Sequence, residues 1–201
     1  MGKRLAAVGL AAFALGALAG SARGEAAGAM LERPPAEAES TSSLAGLRAV
    51  VASEARHLGA ELRDTIVHAV ARASREQGIS AFLLVSLIAQ ESGFDPSAEN
   101  AGALGLMQLR PFVAKDYARR RGLGWRGDAM LRDPAQNVAL ASGYLGELVD
   151  RFESLDLALA AYNKGPEAVK HDLRDDLEPR QDFVDDVMRR YQRYQVRFGG
   201  I

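Results

Sequence analysis

The sequence predicts an all-α or nearly all-α domain, on three observations. Apolar residues recur at three- and four-residue spacing in one segment after another. Alanine and leucine dominate while aromatics make up only 6% of the chain, a mix that favours helix. No stretch of any length alternates apolar and polar residues as a half-buried strand would, and no internal repeat is present. With 201 residues, 48% of them hydrophobic, the chain can build one ordinary core and still carry a leader and a connecting segment.

Lys3 and Arg4 precede an apolar run from Leu5 to about Gly20, followed by the small residues Ser21, Ala22 and Gly24 around Arg23. That order predicts a secretory signal peptide over 1–24, cut after Ala22 or Gly24. The alternative is an uncleaved anchor, for which the run is short and rich in weakly apolar alanine and glycine. No second membrane candidate follows, so the reading is of a protein that leaves the cytoplasm for the periplasm or the medium. Residues 25–43, with Pro34-Pro35 and Ser40-Thr41-Ser42-Ser43, read as a flexible linker whose serines can cap the next helix.

Helical spacing begins at Leu44 and runs to about Gln77, with Leu62, Ile66, Ala69, Val70 and Ala73 on one face and Gly59 as an interruption. This separates a helical N-terminal extension, 44–61, from a main domain at 62–198. Gly78 fits a helix stop and Ser80 an N-cap. Phe82 to Gln90 is apolar around most of its circumference, the mark of a central buried helix. It ends near Glu91-Ser92, before Gly93 and Asp95-Pro96. The stretch Ala101 to Leu109 reads as irregular. Pro111 opens a helix to about Arg121, and a loop holding Trp125 leads to Asp133-Pro134. From there a long helix to about Phe152 buries Val138, Ala141, Leu145 and Leu148. A shorter helix from Leu155 ends at Gly165-Pro166. The last, from about Arg180 to Phe198, carries Phe183, Val187, Tyr191 and Tyr194 on one stripe, with acids at its start and arginines at its end.

The formal net charge of −1 gives no electrostatic case for nucleic-acid binding. The chain has no cysteine, which excludes disulfides, thiolate metal sites and a cysteine nucleophile. His57, His68 and His171 lack metal-ligand spacing, so neither metal nor cofactor is expected.

The residue that calls for explanation is Glu91, an acid at the end of the most apolar helix. Burial disfavours the charged carboxylate and raises its pKa. A general acid working near neutral pH needs that shift to retain the proton it donates; the alternative is that Glu91 only starts the polar loop and points at solvent.

Three blocks surround this reading: Glu91-Ser92-Gly93-Phe94-Asp95-Pro96, Ala103-Leu104-Gly105-Leu106-Met107-Gln108-Leu109-Arg110-Pro111 and Ala161-Tyr162-Asn163-Lys164-Gly165-Pro166. Together, in this order and spacing, they resemble the soluble lytic transglycosylase domain, a family with a lysozyme-like helical fold and a substrate cleft. The resemblance covers roughly Leu62 to Phe198. It implies that Glu91 is the catalytic acid and base acting on peptidoglycan glycan strands. It assigns Met107 an apolar contact and Gln108 a hydrogen bond to sugar, and sets Tyr162 and Asn163 facing the glutamate; the alternatives are Met107 as ordinary core and Tyr162 as a packed aromatic with its hydroxyl at the surface. Ser92 and Gly105 take supporting roles at the helix end and in the cleft-lining turn.

Glycosidases ordinarily flank the bond with two carboxylates. The resembling family manages with one: the glutamate protonates the leaving oxygen, and the muramic acid's own C6 hydroxyl closes a 1,6-anhydro ring. Asp95, Glu99 and Asp133 are the sequence's candidates for a second carboxylate, which would give a lysozyme-like hydrolase instead. Asp95, ahead of a proline, reads as a turn cap. Two departures from the family pattern stand out. A serine common before the second block is missing, leaving Asn100 to supply the polar contact beside Glu99. Near the C-terminus a Tyr-Val pair is replaced by Phe183-Val184. Arg119-Arg120-Arg121 reads as a solvated helix end, or as a lure for peptide-stem carboxylates. Trp125 reads as a loop anchor or a sugar platform. A third functional class, an inactive glycan-binding scaffold of transenvelope secretion machinery, is opposed by the retained Glu91.

Overall fold

The computed structural model describes residues 41–177 and 182–199. The expected leader, all but the last three residues of the expected linker, and the Arg180 start of the last helix lie outside them.

Helix α1 (Thr41–Glu54) starts inside the stretch expected to be linker. Its Leu47, Val50 and Val51 are buried, and it packs on α2 (Ala60–Gln77), α3 (Ala81–Glu91) and α8 (Asp182–Phe198). A Cβ on its Gly46 would fall 2.4 Å from the Phe198 carbonyl oxygen, so α1 and α8 touch backbone to backbone there. The segment read as an extension thus shares one hydrophobic core with the rest. Helix α2 buries Ile66, Ala69, Val70 and Ala73 as its spacing predicts, and stops at Gly78, whose φ of 66° lets its N–H reach the Ser74 carbonyl.

Helix α3 is the centre of the fold. Six consecutive residues, Leu83 to Ile88, are buried, which requires neighbours on every side. Those neighbours are α1, α2 and α8. The one polar member, Ser86, satisfies its hydroxyl by donating to Phe82 O at 2.7 Å. Ser80 sits at the N-cap position as expected, but its side chain makes no capping bond.

The stretch read as irregular contains a small antiparallel hairpin, β1 (Glu99–Asn100) with β2 (Ala103–Leu104). Its two turn residues, Ala101 and Gly102, both have positive φ, as a two-residue hairpin turn of the primed type requires. Helix α4 (Pro111–Arg120) and a 3₁₀ turn (Asp128–Arg132) follow. Helix α5 (Pro134–Phe152) packs along α2 and is capped by Asp133, which accepts from Gln136 N at 2.8 Å. Helix α6 (Leu155–Lys164) lies between α5 and the next helix, α7 (Pro166–Arg174). The sequence reading missed α7, because Gly165-Pro166 closes one helix and opens another: Gly165 takes φ 92°, and Pro166 suits a first helical position. In α8, Val184, Val187, Tyr191, Tyr194 and Phe198 are buried, while Phe183 is only partly so. No helix among the described residues is long and apolar enough to cross a membrane.

Candidate active site

Glu91 is the last residue of α3 and lines a cleft of about 1050 Å³. The apolar helix carries its carboxyl to a partly buried position, where it takes no hydrogen bond or ion pair among the described residues. Burial alone raises its pKa from 4.5 to about 7. The group thus holds a proton at the pH where a leaving oxygen needs one.

Three helices hold the Gly105–Gln108 turn beside it by side-chain hydrogen bonds to backbone. Ser92, following Glu91, donates to Leu106 O at 2.7 Å. Tyr162 on α6 donates its hydroxyl to Met107 O at 2.7 Å. Asn137 on α5 accepts from Met107 N at 2.8 Å and donates to Leu104 O and Leu131 O, both at 2.9 Å. Asn137 is fully buried with every bond made, the condition under which a buried amide rigidifies a loop rather than weakening a core. Gly105 closes the arrangement: its φ is 77°, and a Cβ there would sit 2.0 Å from Leu131 O and 2.5 Å from the Asn137 amide nitrogen.

These contacts place the site residues expected from sequence. Gln108, Asn100, Tyr162 and Asn163 line the cleft with Glu91. Met107 does not: its side chain is fully buried in the core, and what it presents at the site is backbone held by Asn137 and Tyr162. The apolar sugar contact expected of it is therefore corrected, because the tight turn at Gly105 sends that side chain inward. Gln108 spends its amide donors on Ala98 O at 3.0 Å and Gly105 O at 2.8 Å. The opposite amide orientation would set oxygen against two carbonyls, so the bonding fixes the assignment. Its Oε1, buried and unpartnered, is the polar atom left, and it accepts only. Tyr162 is pushed well above the usual phenol range by burial, and then by the nearby Glu91 charge, so its hydroxyl stays a donor.

None of the three second-carboxylate candidates lines the cleft. Glu99 pairs with Arg132 at 2.6 Å. Asp95 caps a turn, accepting from Ser97 N at 2.8 Å and Ser97 Oγ at 2.7 Å, bonds that hold its carboxyl below the ordinary range. Asp133 caps α5. The cleft's remaining acids are Asp116 and Glu147, both tied to arginines, and the exposed Asp150. Trp125 packs against the core and is absent from the cleft wall, which makes it a loop anchor. Among the described residues no group of three or more His, Cys, Asp or Glu side chains could hold a metal ion.

Asn137 and its three bonds were missed in the sequence. The available signal was a polar residue in register with the apolar Ala141, Leu145 and Leu148 on a helix face expected to be buried.

A nearly all-helical domain with a partly buried glutamate, unpaired among the described residues, at the end of its central helix and facing a cleft, defines the lysozyme-like class. The chain belongs to the transglycosylase SLT domain family, whose pattern matches residues 68–182. It is 37% identical over 82 residues to an endo-type membrane-bound lytic murein transglycosylase A of Klebsiella pneumoniae, covering 38% of this chain and 39% of that protein. It is 36% identical over 118 residues to a membrane-bound lytic murein transglycosylase C of Actinobacillus succinogenes, covering 53% and 33%. In structure it is similar to an inactive Glu-to-Gln mutant of the lytic transglycosylase Slt from Pseudomonas aeruginosa. The TM-score is 0.59 and the identity 27%, over 66% of this chain and 24% of that one. The matches thus span well under half the length of these relatives.

Proposed function

We propose that the chain is a peptidoglycan lytic transglycosylase, cleaving the β-1,4 bond between N-acetylmuramic acid and N-acetylglucosamine with Glu91 as its single acid and base. The observation that carries this reading is the Glu91 carboxyl itself: in the cleft, without a partner among the described residues, and raised to about 7 by burial. Protonated, Glu91 gives its proton to the glycosidic oxygen as the N-acetylglucosamine leaves. The carboxylate so formed then takes the proton of the muramic acid's C6 hydroxyl, which attacks C1 and closes the 1,6-anhydro ring. Intramolecular attack gains from proximity and needs no positioned water. The engagement of Glu99, Asp95 and Asp133 elsewhere supports a mechanism with one carboxylate.

Asn100, Tyr162 and Asn163 contact substrate in this reading, Gln108 borders the cleft with its amide turned to Ala98 O and Gly105 O, and Ser92, Gly105 and Asn137 hold the turn beneath it. The relatives' printed names, membrane-bound murein transglycosylases, support a place of action at the cell wall. The leader pattern supports export to the periplasm or beyond, with a catalytic unit of 62–198 that is completed by α1, which shares its core.

The test is digestion of purified peptidoglycan by the mature protein and by Glu91→Gln, with products weighed by mass spectrometry. Products one water lighter than those of a hydrolase, made by the wild type alone, are expected. Hydrated reducing ends would move the reading to a hydrolase, and binding without products to a scaffold.

A further inference from the structure

Five basic side chains line the cleft: Arg110, Arg120, Arg121, Arg151 and Lys164. Four are engaged. Arg120 pairs with Asp116 and Glu147, and Arg121 with Glu147 at 3.1 Å. Arg151 pairs with Glu167 at 2.8 Å, and Lys164 with Asp172. The arginine triplet that the sequence offered as a lure for carboxylates is therefore largely neutralised by its own neighbours. Arg110 differs: it is exposed, lines the cleft, and its guanidinium has no partner among the described residues.

Two residues on stands Phe112, 67% exposed. Of the large hydrophobic residues left exposed among the described residues, only Phe112 borders the cleft. Both side chains sit on rigid backbone. Leu109 and Ala114 are buried on either side, and Pro111 begins α4 between them. An exposed aromatic and an unpaired guanidinium, two residues apart on the wall of a cleft that holds Glu91, form a surface with two distinct chemistries.

We propose that Arg110 and Phe112 form a subsite for a peptide-bearing muramyl unit, Arg110 taking a carboxylate of the stem peptide and Phe112 the apolar face of a sugar ring. This deepens the reading of glycan strands as substrate and rests on it. The stem that hangs from the lactyl ether of muramic acid carries free carboxylates, whereas the bare glycan is uncharged along its N-acetylglucosamine units. A planar guanidinium matches a carboxylate in two-pronged fashion. A flat ring matches the C–H face of a pyranose as it matches other apolar faces. Arg110 accordingly sets preference for stem-bearing strands, and Phe112 contributes to any strand.

Binding is the discriminating measurement, made on the Glu91→Gln background so that strands stay intact. Two ligands are compared: solubilised strands with their stems, and the same strands stripped by an amidase that cuts the lactyl–peptide bond, with the lactyl carboxylate this frees then capped as a neutral amide. Arg110→Gln is expected to weaken binding of stem-bearing strands about two- to five-fold, with stripped strands unchanged. That difference should shrink in high salt. Phe112→Ala is expected to weaken both ligands alike, by roughly three- to ten-fold. Both side chains are exposed, so melting curves should match the parent's. Equal losses on the two ligands, or none, in Arg110→Gln would overturn the stem contact. Unchanged binding in Phe112→Ala would overturn the sugar contact, and failure to bind either strand would overturn both. Turnover by the wild-type protein is scored separately: strands bound with this preference but left uncut would refute the proposed activity and leave the subsite standing.

Discussion

Placing an ionisable group at the end of a buried helix has a thermodynamic consequence that can be measured without substrate. Glu91 is raised from 4.5 to about 7 in the folded protein. Between those values the folded state holds a proton that the unfolded chain has released, so stability must fall as pH rises through that window. Below pH 4.5 both states are protonated and nothing is lost. Above 7 both are charged, and the full cost of burying the carboxylate is present, about 3 kcal/mol. Glu91→Gln replaces the acid with a neutral amide of the same shape and removes that cost. Urea unfolding of wild type and variant should therefore coincide near pH 4 and diverge between 4.5 and 7. By pH 8 the variant should be more stable by about 3 kcal/mol, or roughly 6–12 °C in melting temperature for a chain of this size. A gap that does not change with pH, or a wild type that gains on the variant as pH rises, would refute the argument that burial sets the protonation of Glu91.

Tyr162→Phe removes one hydroxyl bond, to Met107 O, and should cost about 1 kcal/mol in stability. Its clearer effect should be on turnover, with kcat falling more than the melting temperature suggests. Gly105→Ala forces an L side chain into φ 77° and into Leu131 O and Asn137. It should destabilise by about 3 kcal/mol and lower strand cleavage further, through the displaced turn. Glu99→Gln and Asp150→Asn should both leave the product masses unchanged, since Glu99 is held by Arg132 and Asp150 is exposed on the α5 wall. A loss of turnover in either, with the fold intact, would reveal a second catalytic carboxylate.

Much of this site is legible in the sequence. An apolar run with no polar face predicts a central helix, which α3 is, but the acid at its end could by position alone have faced solvent, and it is the structure that buries Glu91 in part. What was hidden depends on direction rather than residue type. Met107 and Gln108 are adjacent in a motif, yet the backbone turn at Gly105 sends Met107 into the core while Gln108 borders the cleft. The partner of Glu99 lies 33 positions away in Arg132, a pairing no local pattern specifies. The hairpin escaped notice because its strands are two residues each, too short to show alternation. Helix α7 escaped because the same Gly-Pro pair stops one helix and starts the next. Asn137 was the recoverable omission, since a polar residue on a buried stripe asks what it bonds.

The central claim, that the glycan's own hydroxyl and not water completes the reaction under Glu91 alone, is tested most directly by digesting peptidoglycan in heavy-oxygen water. The account predicts anhydro ends that carry no label with the wild type, and no new ends with Glu91→Gln. Labelled reducing ends from the wild type would show that water is the nucleophile and contradict it.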